Sequence, residues 1–285
     1  MTKNLISKFE EFGKLVATSH RIVIGDCRNM AEIKDNSIQL IVTSPPYFNV
    51  KDYGTDNIGS INEYETYLRA IRQVFSECYR VLDEGRYICV NISDIISGEK
   101  KLPIPCHFVG ILQRAGFQYR EDILWKKPSG LGSSKRFGNL IQNPYPMYYY
   151  PNNIYEHILV FRKGKFDFKK ITKEERSASK IDIEYAKKHW NTDVWEIVPE
   201  TKTGHPAMFP QALPEALIKL YTYEGETVLD PFLGSGTTIK VAKNLQRNSI
   251  GYEINKAYLD IIKSKIGYKE NSEFEIIIRG DMSEL

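Results

Sequence analysis

Cysteine is scarce in this 285-residue chain. The four present, Cys27, Cys78, Cys89 and Cys106, form no Cys-x-x-Cys pair and have no histidine at metal-ligand spacing. That excludes a zinc site or a disulfide framework and fits a reduced, cytoplasmic protein. The five histidines are scattered as well, so no metal is expected and none is assigned a catalytic role. Long apolar runs are missing: no segment approaches the ~20 residues of a membrane span. Residues 1–20 mix Lys and Glu with isolated apolar side chains, unlike a secretory leader. Net charge is also small, +3, so the total neither demands nor excludes a polyanionic partner.

What is present is size and pattern. At 42% hydrophobic, residues 1–285 suffice for one large α/β domain with a buried sheet. Short β-branched runs predict seven strands, over 21–24, 38–43, 87–92, 118–125, 156–161, 227–229 and 249–253. Three- and four-residue spacing of apolar side chains predicts a helix over 61–82 that Gly85 would stop. Further helices are predicted over 213–223 and 237–245.

Charge is unevenly distributed. Residues 126–180 hold twelve Lys or Arg against four Asp or Glu, so that stretch carries +8 and the remainder −5. A solvated loop and a polyanion-binding surface are both open readings.

Two segments suggest chemistry. Thr227-Val-Leu-Asp230-Pro231-Phe232-Leu233-Gly234-Ser235-Gly236-Thr237-Thr238 places an acidic residue and a Gly-x-Gly turn between a strand and a helix. Glycines there let the backbone approach a ligand, and the helix start offers free N–H groups. No Gly-Lys-Ser/Thr follows, which disfavours triphosphate. Glu253, at the end of the next strand, suits the hydroxyls of a ribose, although an ordinary surface carboxylate would look the same. The second segment, Ile38 to Thr43 followed by Ser44-Pro45-Pro46-Tyr47, is a buried-type strand ending in a stiff diproline loop. The Ser44 hydroxyl and the Pro45 carbonyl could grip the hydrogens of an aromatic amine and aim its lone pair at a methyl donor, while Tyr47 stacks on the ring. A plain diproline turn with a structural tyrosine is the competing reading.

Together, TSPPY and DPFLGSGTT resemble the amino-methyltransferases of DNA in restriction-modification systems. Catalytic loop first, basic insertion next and cofactor loop last is the order of their β group. The resemblance implies a circularly permuted class I methyltransferase fold, Rossmann-like, with a seven-stranded, mostly parallel sheet and a basic target-recognition insertion over about 128–204. It implies S-adenosylmethionine as cofactor and double-stranded DNA as substrate, with the target base flipped out of the duplex. A partner endonuclease is possible on this resemblance, and the protein would be a monomer or a homodimer.

The same resemblance supplies the remaining site residues. Asp26 would contact the cofactor adenine, and His205, Pro206 and Phe209 would flank its methionine part, beside Thr43, Asp230, Pro231, Phe232, Gly234, Ser235, Gly236, Thr237, Thr238 and Glu253. Segments 192–195 and 124–128 also look familiar from this group. Lys135, Arg136, Arg162, Lys163, Lys165, Lys169 and Lys170 would neutralise DNA phosphates. Tyr148, Tyr149 and Tyr150 would either support a base or pack in the core. Serine in the first catalytic position is typical of cytosine N4 enzymes and aspartate of adenine N6 enzymes, so cytosine is expected and adenine is the alternative. A catalytically inactive DNA-binding relative is a further alternative. Enzymes that methylate RNA or protein glutamine share such a loop, but there the cofactor glycines precede it. Finally, residues 275–282 resemble residues 21–27. In the permuted order they are expected to pair beside the first strand or cover its edge.

Overall fold

A computed structural model describes residues 17–49, 57–97, 100–128, 145–147, 153–199, 210–270 and 273–279. Its strands are β1 (His20–Ile24), β2 (Ile38–Thr43), β3 (Leu82–Ile92), β4 (Ile95–Ser97), β5 (Lys100–Leu102), β6 (Gln118–Lys126), β7 (Tyr155–Arg162), β8 (Val194–Glu196), β9 (Thr227–Asp230), β10 (Asn248–Glu253) and β11 (Phe274–Ile278). Its α-helices are α1 (Tyr64–Val81), α2 (Ile104–Arg114), α3 (Lys173–Ala178), α4 (Ile183–His189), α5 (Ala212–Tyr221), α6 (Thr237–Asn244) and α7 (Leu259–Ile266).

Nine strands form one sheet in the order β11-β1-β10-β9-β2-β3-β7-β6-β8, and β4 and β5 form a separate hairpin. Only β7 runs against its sheet neighbours, β3 and β6. The seven expected strands are all present in the mostly parallel α/β sheet of the permuted fold, but the sheet is wider than expected. β8 adds one edge, pairing parallel with β6 so that Trp195 lies opposite Trp125. Three residues are too few to reveal a period. β11 adds the other, pairing parallel with β1 and setting Ile276 against Ile22, so the resemblance between the two segments reflects neighbouring strands.

Strands buried on both faces alternate between two cores. Leu40 and Val42 of β2 pack with α5 and Val241, whereas Ile41 packs with α1 and α2. Helix α1 fully buries Tyr67, Ile71, Val74 and Phe75. At roughly 1.5–3 kcal/mol for each large apolar side chain removed from water, packing rather than capping anchors it. Indeed Glu63, its N-cap, makes no side-chain cap bond.

The helix ends at Val81 with Leu82 already extended, and Gly85 lies inside β3 at φ +80. Gly85 is therefore not its terminator. Lys163 is: its ammonium donates to the carbonyls of Tyr79 and Leu82 at 2.7 and 2.8 Å, satisfying acceptors that a helix end leaves open.

Candidate active site

Because β2, β9, β10 and β1 are parallel neighbours, the loops after all four leave the same carboxyl edge of the sheet. In an open α/β sheet this edge is where ligands bind. The loops after β2 and β9 are tied together directly. Thr43 donates its hydroxyl to Asp230 Oδ1 at 2.7 Å, Thr238 donates to Oδ2 at 2.6 Å, and the Phe232 amide reaches Oδ1 at 3.1 Å. Three of the roughly four acceptor sites of this carboxylate are filled from within the chain. Asp230 thus knots the end of β2 to the glycine turn, with Thr43 and Thr238 committed to it.

The turn itself needs its glycines. Gly234 and Gly236 adopt φ +55 and +88, and a Cβ on Gly236 would press on Ile262 and Ile266 at 3.3 Å. Beneath it, Lys265 of α7 donates to the hydroxyls of Ser235 and Thr237 at 2.8 and 2.6 Å. Pro231 is buried and Phe232 packs partly against the core. Glu253 lies alongside: its two oxygens accept the amides of Gly234 and Asn255 at 2.9 and 2.8 Å. Burial pushes Glu253 up to about 7 and Asp230 up to about 6. Among the described residues neither carboxylate has a basic partner within ion-pair distance. Two buried carboxylates without a cation, beside an open-backbone turn, fit a cationic nucleoside with ribose hydroxyls. Asp26, at the end of β1, is held by Arg28 Nε at 2.7 Å.

The diproline loop is pinned at two points. Tyr67 of α1 donates its hydroxyl to the Pro46 carbonyl at 3.1 Å, a bond that does not involve the Pro45 carbonyl. The Tyr47 hydroxyl donates to Glu156 Oε2 at 2.9 Å. Ser44 is half-buried at the end of β2. Glu156, the second residue of β7, also accepts Asn91 Nδ2 at 2.7 Å and Lys127 Nζ at 2.6 Å. Sequence reasoning missed Glu156, Asn91, Lys127 and Tyr67 as parts of this site. The available signal was a carboxylate just ahead of the apolar run Ile158 to Phe161.

The basic residues divide. β7 runs antiparallel, so Arg162 lies level with Gln118 and Tyr87, at the amino edge of the sheet. Six residues at ~3.4 Å each separate it from Glu156, about 20 Å. Lys163 is buried, its ammonium held by Asn36 at 2.6 Å as well as by the two helix carbonyls. Lys165 lies near Gly85 on that same side, and Lys169 and Lys170 follow in a short 3-10 turn. Of the residues expected to neutralise DNA phosphates, Lys163 is thus buried and committed within the chain, and Arg162, Lys165, Lys169 and Lys170 lie at the edge opposite the catalytic loop. The reversal of β7 carries them to the far edge. Within the expected 128–204 insertion, β7 lies in the sheet between β3 and β6. Lys135, Arg136, Tyr148, Tyr149, Tyr150, His205, Pro206 and Phe209 lie outside the described residues. No described helix is long and apolar enough to cross a membrane.

Fold and site together define a methyltransferase of the permuted α/β class. A family model described as DNA methylase, covering the N6 and N4 types, matches residues 38–264, and the chain belongs to that family. Over 90% of its length it is 37% identical to the Type II methyltransferase M.MjaI of Methanocaldococcus jannaschii, 93% of which is covered. Its structure resembles TTHA0409 of Thermus thermophilus, assigned as a DNA modification methylase and solved with S-adenosyl-L-methionine. The TM-score is 0.73 at 25% identity, covering 92% of this chain and 99% of that one. It shares the fold of the PvuII DNA methyltransferase (cytosine-N4-specific) with a TM-score of 0.65 at 22% identity, covering 92% and 93%.

Proposed function

We propose that this DNA methyltransferase of the N6/N4 family uses S-adenosylmethionine to methylate the N4 amine of a flipped cytosine in a restriction-modification system. The observation that carries the reading is the bond from Thr43 to Asp230, which sets the diproline loop beside the glycine turn. When bound, the cofactor supplies an electrophilic methyl on a sulfonium. Glu253 accepts the ribose hydroxyls, the turn around Gly234 and Gly236 admits the cofactor against bare backbone, and Asp26 borders the adenine end. Ser44 Oγ and the Pro45 carbonyl hold the two amine hydrogens, so the nitrogen lone pair turns toward the methyl. Tyr47 stacks on the extruded base and offsets part of the stacking it loses. The proton released by the amine passes to water.

Serine at position 44 supports cytosine over adenine. For DNA contact the connection between β6 and β7 now takes the place of the wider 128–204 interval. It carries Lys135, Arg136 and the tyrosine triplet, and its described ends meet at the carboxyl edge, where the Lys127 amide donates to the Ile154 carbonyl at 2.8 Å. Incubation with labelled cofactor and unmethylated DNA, followed by digestion to nucleosides, tests the assignment. The expected product is labelled 4-methylcytosine. Label in 6-methyladenine replaces the base, and label only in RNA or protein removes DNA as the substrate.

A further inference from the structure

Glu156 lies outside both motifs, yet it accepts three hydrogen bonds beside the catalytic loop. Its side chain is 12% exposed, and its Lys127 partner 16%. Three donors from three different segments converge on it: the Tyr47 phenol, the Asn91 amide and the Lys127 ammonium. A carboxylate gripped by a cation and an amide is a fixed acceptor, and a hydroxyl that donates to it makes a short, charge-assisted bond. Asn91 is 3% exposed, and its amide oxygen has no hydrogen-bond partner among the described residues. It stands one residue beyond the Val90–Thr43 pair, level with Ser44. A buried acceptor left open beside the catalytic loop is uncommon and is suited to a donor from a bound molecule.

We infer that Glu156 is a positioning residue for methyl transfer, acting through Tyr47. It fixes the plane of the ring on which the target base stacks, and so holds the amine in line with the methyl donor. The inference rests on the methyltransferase reading above. Without the phenol bond, the ring of Tyr47 would lose the contact that fixes its hydroxyl end. Chemistry sensitive to displacements of an ångström or less would then slow, while cofactor binding, on the other side of β2, would not change.

The test is a mutant cycle on methyl transfer to unmethylated plasmid DNA, with cofactor affinity measured by calorimetry and folding by thermal melting. Glu156→Gln and Tyr47→Phe are each expected to lower kcat about tenfold, with cofactor affinity within twofold of the parent. The double variant should be no slower than the slower single one. Effects that multiply, or a Glu156→Gln enzyme at full rate, would overturn the inference. Should Glu156→Gln fail to fold because Lys127 loses its counter-charge, the cycle is run in a Lys127→Met background, where the same non-additivity is expected. A parent enzyme that transfers no label to DNA takes the substrate reading down and this one with it. An active parent with multiplying effects removes this one alone.

Discussion

The two ends of β9 and β10 treat charge differently. At the amino edge, Arg86, Arg247 and Lys163 are answered within the chain. Arg86 pairs with Glu226, Arg247 reaches the Thr222 carbonyl at 2.9 Å, and Lys163 caps α1. At the carboxyl edge, Asp230 and Glu253 are equally deep but have no described counter-ion, and burial raises both. The difference marks one edge as finished by folding and the other as finished by what binds there.

Removing the loop's chemistry should break the carboxyl edge most sharply. Ser44→Ala is expected to lower kcat/KM for methyl transfer on the order of 10²-fold, as for loss of one acceptor at a reacting centre. Its cofactor affinity by calorimetry should stay unchanged, and a parallel loss of affinity would refute the assigned role. At the other edge, Lys163→Met should cost roughly 1–3 kcal/mol in denaturant unfolding, because it strands buried carbonyls. Activity per folded molecule should hold.

A pH series sharpens the contrast. Glu253 and Asp230 titrate near 7 and 6, above the ordinary range near 4. The unfolded chain therefore loses these protons first. Their contribution to stability is full below about pH 4 and is lost as pH rises through 6 to 7. The cofactor-free protein should melt lower at pH 7.5 than at pH 5 through these groups. Cofactor affinity should rise over the same interval by several-fold, since the ionised carboxylates attract its cation. A flat affinity profile would contradict the fit. The smallest effect is expected from Lys169→Glu with Lys170→Glu, which should leave DNA affinity within twofold in a filter-binding or anisotropy titration. A large loss would bring the amino edge back into the DNA interface.

Much of this was legible beforehand because the permuted fold depends on local signals. The β2 run and its two prolines, and the β9 run and its glycines, announce themselves in single windows of sequence. What was not legible depends on direction. Nothing in the residues of β7 states that it runs antiparallel, and that reversal alone sets Arg162 and its basic neighbours at the edge opposite the catalytic loop. Glu156 escaped notice for a related reason. Its partners Tyr47, Asn91 and Lys127 are far apart in the chain, and only the β3–β7–β6 pairing brings them together. The helix cap by Lys163 is likewise a contact across strands, so Gly85 drew the credit.

Arg279, just past β11, lies across Gly25: a Cβ there would meet its Cδ at 2.7 Å. Its guanidinium donates to the Asp26 carbonyl at 2.7 Å and to Glu32 at 2.7 Å, and Glu32 in turn accepts the Tyr252 hydroxyl at 2.9 Å. The outermost strand thus reaches over its neighbour to clamp the loop that we propose borders the adenine. The loop after β1 is thus closed only once a residue 253 positions further along the chain has docked on it, so whatever binds there depends on that long-range contact.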